Sequence, residues 1–199
     1  MTLSPEFDFM EGLAHAYWAE GKYRQSEAIF KQILAGRNPE APDTLSALWD
    51  FASMYQRQGK YALAETYFAQ ALAGQRHNMG PDHPVTMLWA ADLALARQSQ
   101  GKFADSEPLA REVLVFYQKR QPDDWRRFRA ESLLGAGLSG QKKYADAEPL
   151  LLEGYQGMLA RKSRIDIPDW YYLERAREWI VQLYQIWGQP AKAAEWRGK

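Results

Sequence analysis

Apolar side chains recur along the chain at steps of three and four residues, which is the spacing of one face of an α-helix. The stretches 45–58 and 61–72 show this spacing clearly. Its positions are Leu45, Leu48, Phe51, Ala52 and Tyr55, then Tyr61, Ala64, Tyr67, Phe68, Ala71 and Leu72. No segment alternates apolar and polar residues convincingly in the manner of a β-strand. The pattern therefore predicts an all-α chain of amphipathic helices.

A glycine–basic–aromatic turn separates successive helices. It occurs in full at Gly21-Lys22-Tyr23, Gly59-Lys60-Tyr61 and Gly101-Lys102-Phe103, and in altered form at Lys142-Lys143-Tyr144 and Gly188-Gln189-Pro190. The third positions of these turns are 38, 42, 41 and 46 residues apart. Glycine suits such a turn because many helices end in a residue of left-handed conformation. The spacing predicts five helix–turn–helix units.

A second mark, Pro-Asp, keeps a nearly fixed distance from these turns. It occurs at Pro42-Asp43, Pro81-Asp82, Pro122-Asp123 and Pro168-Asp169, and the last three lie 21 residues before the third position of the next turn. Proline ends the preceding helix, and the aspartate is expected to accept hydrogen bonds from the free amides of the next one. Together the marks predict a single domain over residues 1–199, with units of about 4–38, 42–80, 82–121, 123–165 and 168–197.

The units resemble the tetratricopeptide repeat, whose helix A carries a large and a small apolar residue and then an aromatic one. The second unit matches with Phe51-Ala52, Tyr55, Gly59, Ala64, Phe68 and Ala71. The period of about 42 residues and the phrase Gly80-Pro81-Asp82-His83-Pro84 resemble the longer repeats of kinesin light chains. The resemblance implies an all-α, right-handed α-solenoid of about five repeats, in which helix A lines the concave side.

One departure from the kinesin-light-chain pattern affects specificity. That pattern usually has two asparagines before the Leu-Ala of helix A, whereas this chain has Trp49-Asp50 and Ala91-Asp92 at two of the equivalent places. The peptide specificity of that family is therefore not carried over to this chain.

The repeat register places a set of helix A residues in the concave groove. These candidate partner-binding residues are Glu11, His15, Trp18, Trp49, Ser53, Gln56, Arg57, Leu88, Ala91 and Leu95. Trp18 and Trp49 have two interpretations, because tryptophan is enriched at binding hot spots but also serves to pack one repeat against the next. The register predicts a non-catalytic protein- or peptide-binding scaffold.

Composition excludes several other classes of function. The chain has no cysteine, which rules out disulfides, thiolate catalysis and cysteine zinc sites. Its three histidines are not spaced as metal ligands, and no phosphate-binding loop or nucleophile elbow occurs. We therefore expect no enzymatic activity, no metal and no cofactor.

A cluster of basic residues is the remaining charged feature. It comprises Lys119, Arg120, Arg126, Arg127 and Arg129. The cluster could bind an acidic partner or nucleic acid, or its charges could be solvated and offset by Asp123 and Asp124. The balance of 25 basic and 25 acidic residues argues against a dedicated nucleic-acid binder.

The N-terminal residues have no basic n-region and no apolar h-region, so we expect no signal peptide, and no apolar run approaches the roughly 20 residues that cross a membrane. We expect a soluble, cytoplasmic protein. An alternative, implied by the resemblance, is a structural, regulatory or oligomerising segment of a larger bacterial signalling protein. A homodimer through the tryptophan-rich C-terminal unit is a further expectation.

Overall fold

The computed structural model describes residues 5–198. Contacts between residues divide the chain into two compact units, Met1–Ala96 and Arg97–Lys199. The described residues contain α-helices and two short 3-10 turns but no strand, so the prediction of an all-α chain of repeats is confirmed.

The first unit holds two complete helix pairs and most of a fifth helix. Each pair lies within one predicted repeat and has its two helices joined by the glycine turn. The helices are α1 Pro5–Ala19, α2 Tyr23–Leu34, α3 Pro42–Arg57, α4 Tyr61–Met79 and α5 Pro84–Gln98, which runs past the boundary between the units.

The second unit continues the same alternation. A connection with two 3-10 turns, Lys162–Arg164 and Ile167–Asp169, precedes its last helix pair. The helices are α6 Phe103–Arg120, α7 Trp125–Gly140, α8 Tyr144–Ala160, α9 Trp170–Ile186 and α10 Pro190–Arg197.

The turns close in the way that their glycines predict. Gly21 has φ 72°, and the amide of Lys22 donates to the carbonyl of Tyr17 at 2.8 Å, as in a Schellman motif. In the altered turn Lys142 takes this conformation at φ 65°, and the amide of Lys143 donates to Leu138 at 2.9 Å. The backbone pattern thus survives the loss of glycine.

The aspartates of the Pro-Asp pairs at α3 and α7 are not the N-cap residues of these helices. Pro42 begins α3, but the preceding residue Ala41 has no side-chain acceptor. At α7 the cap is Asp124, whose carboxylate accepts from the amide of Arg126 at 2.8 Å. The predicted aspartate, Asp123, is one residue too early and its carboxylate forms ion pairs instead.

Packing within the first unit follows the large–small pattern of the repeat. Ala14 is fully buried, and Ser26 of α2 donates its hydroxyl to the Ala14 carbonyl at 2.8 Å. The next repeat stacks on this pair through the rings of Phe30 on α2 and Phe51 on α3, whose centroids are 5.3 Å apart. Small residues thus let paired helices approach, and aromatic rings fill the space between repeats.

Close approach in the second unit depends on glycine. A Cβ at Gly157 on α8 would lie 1.9 Å from the ring of Phe128 on α7. A Cβ at Gly154 would lie 2.6 Å from the Phe128 carbonyl oxygen and 2.7 Å from the amide nitrogen of Ser132. Helices α7 and α8 are therefore in contact at the level of their backbones.

Candidate functional site

Side chains from the first two repeats enclose an open cavity of about 480 Å³ in the first unit. Helices α1 and α3 supply most of its lining, and the start of α2 supplies one ring. The lining residues are His15, Trp18, Ala19, Tyr23, Trp49, Asp50 and Arg57. We call this cavity the α1–α3 pocket. It brings together His15, Trp18, Trp49 and Arg57, which the repeat register predicted as binding residues.

Arg57 lies at an exposed position on the last turn of α3, with its guanidinium carbon 5.5 Å from the centroid of the Trp18 ring. This is a cation–π distance. Within residues 5–198, no carboxylate lies within ion-pair distance of Arg57. The guanidinium is therefore available to a negative or hydrogen-bond-accepting group of a ligand.

His15 and Asp50 join the two repeats on the other side of the pocket. Nε2 of His15 lies 3.3 Å from Oδ2 of Asp50. Interaction with this carboxylate raises the pKa of His15 above its ordinary value, against the opposing effect of partial burial. Burial raises the pKa of the nearby Glu11 carboxyl, and the charge of Asp50 adds to that rise. The pocket thus combines aromatic walls with the Arg57 cation at one side and the Asp50 carboxylate at the other.

Replacing Asp50 by asparagine is expected to lower the pKa of His15, because the carboxylate is the largest cause of its rise. An NMR titration of the His15 ring in both chains measures this directly. Because the pKa of His15 is raised in the folded state, its ion pair stabilises the fold fully below the unfolded pKa of about 6.5. This stabilisation is lost as the pH rises through the pKa of His15 in the folded chain. The urea midpoints of the two chains should therefore differ more at mildly acidic than at alkaline pH. Identical His15 titrations in the two chains would contradict this assignment.

Trp49 has a packing role in addition to lining the pocket. Its indole nitrogen donates to Oδ2 of Asp92 on α5 at 3.2 Å. Its ring stacks on that of Trp89, with centroids 6.3 Å apart and planes inclined by 14°, and also contacts Phe68. Trp49 therefore packs one repeat against the next as well as lining the pocket. The Trp18 ring contacts His15 and Arg57, which are both pocket residues.

The other predicted groove residues lie outside the pocket lining. Ser53 donates its hydroxyl to the Trp49 carbonyl of its own helix at 3.0 Å, and Gln56 and Leu88 are half-buried. Ala91 and Leu95 are only 3% and 2% exposed and do not present their side chains at a surface. The register misassigned these two residues because residues 89–96 of α5 are buried on every face, so no side of the helix is an open one there.

The repeat register alone missed Asp50 as a member of the site. Asp50 directly follows Trp49, at a place where the kinesin-light-chain pattern usually has asparagine. The available signal was the pairing of His15 and Asp50 across consecutive helices A, since opposite charges on adjacent repeats can meet. Such a pairing is tertiary, and a scan for local motifs does not find it.

The predicted basic patch is largely neutralised by neighbouring carboxylates. Nη1 of Arg126 lies 3.2 Å from Oδ2 of Asp124, and Nη2 of Arg127 lies 3.0 Å from Oε1 of Glu131. Arg129 is buried, which removes it from the surface. Of the five cations in the cluster, Lys119 and Arg120 lie at the exposed end of α6, and Arg126 and Arg127 each pair with a carboxylate.

Two further observations concern the arginines of this region. The guanidinium carbon of Arg129 lies 3.6 Å from the centroid of the Tyr172 ring, so this arginine packs inside the second unit. Arg161 and Arg164 both form ion pairs with Asp123. Since lysine and arginine bind phosphates through their uncompensated charge, this arrangement gives no support to nucleic-acid binding.

Residues 5–198 contain no group of three or more histidine, aspartate or glutamate side chains placed to hold a metal ion. In the same range, no helix combines the length and apolar character needed to cross a membrane.

Comparisons with known proteins agree with the architecture. The sequence profile of the tetratricopeptide repeat matches residues 8–76 and 43–119, which together span more than half of the chain. No curated protein matches the chain in sequence.

Solved structures of similar fold include repeat proteins of low sequence identity. A kinesin light chain of nearly identical TPR-like repeats from Podosopora anserina superposes with a TM-score of 0.72 at 20% identity, covering 100% of this chain and 94% of that one. BtubC from P. vanneervenii gives 0.69 at 17%, covering 94% and 75%. MamA from Desulfovibrio magneticus gives 0.66 at 14%, covering 99% and 94%. At these identities the structural similarity shows the fold alone. The profile match, which spans more than half of the chain, shows that the chain belongs to the tetratricopeptide repeat family.

Proposed function

We propose that the chain is a non-catalytic scaffold that holds a segment of a protein partner in the α1–α3 pocket. The observation that carries the proposal is the convergence of Trp18, Trp49 and Arg57 from two repeats around one open cavity. Proteins of this repeat family typically act as interaction scaffolds.

The size of the pocket supports the proposal. Its volume of about 480 Å³ lies within the range of about 300–1,000 Å³ that is usual for ligand cavities. Trp49 is held in place by Asp92 and Trp89, so its exposed part is a rigid wall. Binding to such a wall costs little conformational entropy, because the Trp49 ring is already ordered before the partner binds.

The chemistry of the pocket supports a peptide rather than a small reactive substrate. Tryptophan and arginine are the residues that most often dominate the energy of protein interfaces. The Asp50 carboxylate and His15 lie beside the aromatic walls and offer hydrogen-bond partners for a polypeptide backbone or a polar side chain. One apolar side chain flanked by polar groups is the ligand that this arrangement fits.

Selection from a displayed library of random peptides on the intact chain tests the proposal. We expect enrichment of sequences whose binding is weakened at least about tenfold by Trp18→Ala, since truncating a hot-spot residue costs about 2 kcal/mol or more and about 1.4 kcal/mol is a factor of ten. Arg57→Glu should weaken the same peptides by reversing the charge of an arginine that lines the pocket and stacks on Trp18. Affinities are measured by fluorescence anisotropy.

Arg24→Glu is the matched control, because Arg24 is exposed on α2 outside the pocket and has the same charge as Arg57. The control should bind as the wild type does, and all three variants should retain the helical circular-dichroism spectrum. Peptides that bind equally well to the wild type and to the Trp18 and Arg57 variants would place the binding surface elsewhere and reject the pocket.

A further inference from the structure

An aspartate occupies the same repeat position in the second and the third helix A. Asp50 on α3 and Asp92 on α5 are 42 residues apart, which is also the step between the turns of their repeats. Oδ2 of Asp50 lies 3.3 Å from Nε2 of His15 on α1. Oδ2 of Asp92 accepts a hydrogen bond from the indole nitrogen of Trp49 on α3 at 3.2 Å. Each carboxylate thus contacts a pocket residue that the preceding helix A supplies.

The two aspartates differ in their access to the pocket, although both lie in the compact unit Met1–Ala96. Asp50 lines the α1–α3 pocket, whereas Asp92 lies outside the lining and is only 4% exposed. A partner in the pocket therefore does not contact the Asp92 side chain. Any effect of Asp92 on binding must act through a residue that the partner does contact, and Trp49 is such a residue because it both lines the pocket and donates to Asp92.

The Trp49 side chain is held by two groups on α5. Trp89, which is itself buried, stacks on the Trp49 ring with planes inclined by 14°. A stack of this kind leaves the ring free to turn within its plane, whereas the hydrogen bond to Asp92 fixes the direction of Nε1. Nε1–H is the only polar group of a tryptophan side chain, so the part of the ring that faces the pocket presents carbon atoms alone. Asp92 thus sets both the orientation of this wall and its apolar character.

We propose that Asp92 is a positioning residue for partner binding, because its hydrogen bond orders the Trp49 indole before a partner arrives. The inference rests on the proposed function of the α1–α3 pocket and extends the binding unit to a third repeat, since α5 follows the two repeats that line the cavity. Without the bond, the indole would have to be ordered during binding. The entropy of immobilising one side chain corresponds to an affinity lower by about two- to tenfold.

Fluorescence anisotropy with the tightest-binding peptide selected on the wild-type chain tests the proposal. Asp92→Ala removes the acceptor and weakens the binding of this peptide by about two- to tenfold. Asp92→Asn keeps a carbonyl oxygen that accepts from the indole, so its affinity returns toward that of the wild type. Thr86→Val is the matched control on the same helix, because it removes a buried hydroxyl that donates to the Gly80 carbonyl at 2.9 Å outside the pocket lining. The control binds the peptide as the wild type does.

Combination with Trp49→Phe separates positioning from a general loss of stability. Trp49→Phe keeps an aromatic ring and removes the N–H group, so it weakens binding while Asp92 is still present. In this background Asp92→Ala has no indole hydrogen bond left to remove, and it causes no further loss of affinity. A purely structural role of Asp92 would instead weaken binding equally in the two backgrounds.

The indole N–H signal of Trp49 gives a second readout that needs no partner. In a heteronuclear NMR spectrum it is the indole signal that Trp49→Phe removes. The hydrogen bond protects this hydrogen from exchange with water, so Asp92→Ala speeds its exchange severalfold and Thr86→Val leaves it unchanged.

Three results would overturn the positioning role and leave the pocket itself in place. They are wild-type affinity in Asp92→Ala, an equal loss of affinity in the two backgrounds, and an indole exchange rate that does not respond to Asp92→Ala. Should Asp92→Ala fail to fold, Trp49→Phe tests the same bond from the donor side, and wild-type affinity in that variant overturns the role as well. A peptide whose binding Trp18→Ala does not weaken would reject the pocket, and the positioning role with it.

Discussion

Replacing Gly154 by alanine is expected to lower the free energy of unfolding by about 2–3 kcal/mol, as overpacking of a tight contact does. Alanine is the better helix former, so an isolated helix would gain stability from the change. In the folded chain the new Cβ lies 2.6 Å from the carbonyl oxygen of Phe128 and 2.7 Å from the amide of Ser132. Both atoms belong to the backbone of α7, so α7 and α8 must move apart. Urea denaturation followed by circular dichroism measures the loss.

Gly12→Ala is the matched control for this prediction. Gly12 also lies within a helix, but its added Cβ meets nothing within 4 Å. We expect a gain of about 0.5–1 kcal/mol, the ordinary difference in helix propensity. Equal changes in the two variants would show that α7 and α8 are not in backbone contact at Gly154.

Trp49→Ala is expected to lower the free energy of unfolding by about 2–3 kcal/mol, at or just below the range for truncating a large aromatic residue in a core, because Trp49 is only half-buried. The change removes the stack on Trp89 and the hydrogen bond to Asp92, whose side chain is buried. The loss of a partner for a buried polar group adds to the loss of apolar contact. Thermal and urea melts measure the effect.

Trp18→Ala separates binding from stability at the same pocket. Trp18 is partly exposed and its ring neighbours are His15 and Arg57, so we expect a loss below about 1 kcal/mol, as for a residue at the surface. Trp49→Phe is a milder probe that keeps an aromatic ring and removes the indole N–H. A Trp49→Ala chain as stable as the wild type would show that Trp49 is a pocket residue only.

The fold followed from the sequence because its marks are local. Each mark involves only a few adjacent residues: a left-handed residue at a turn, or apolar residues spaced three and four positions apart. These marks recur five times in a fixed order. The fourth turn has Lys142 in place of glycine, yet its distance from the other turns predicts its position, and Lys142 has the left-handed conformation. Repetition thus corrects for a weak local signal.

The pocket could be predicted only in part. The register identified Trp18, Trp49 and Arg57, since their positions on helix A follow from the repeat. It did not show that Trp49 also packs on Trp89, or that Leu95 is buried. Both facts depend on which side chains of the following helix are large, and that is a property of the packed chain.

The basic cluster shows a different limit of sequence reasoning. Arg126 and Arg127 each form an ion pair with a carboxylate no more than four residues away in the sequence. Such pairs can be predicted only when the acidic residues near the cluster are considered with the basic ones. Arg129 is taken out of solvent by Tyr172, which lies in the next repeat. A count of positive charges therefore overestimates the charge that reaches the surface.

The division of the α1–α3 pocket between two repeats has a consequence for the evolution of the chain. His15 and Trp18 come from one repeat and Asp50 and Arg57 from the next, so neither repeat can be inherited alone as a binding unit. Repeat proteins diverge readily by gain, loss and exchange of whole repeats. A repeat inserted between these two would abolish the pocket while leaving each helix pair intact, so the junction, and not the repeat, is what selection for this pocket must preserve.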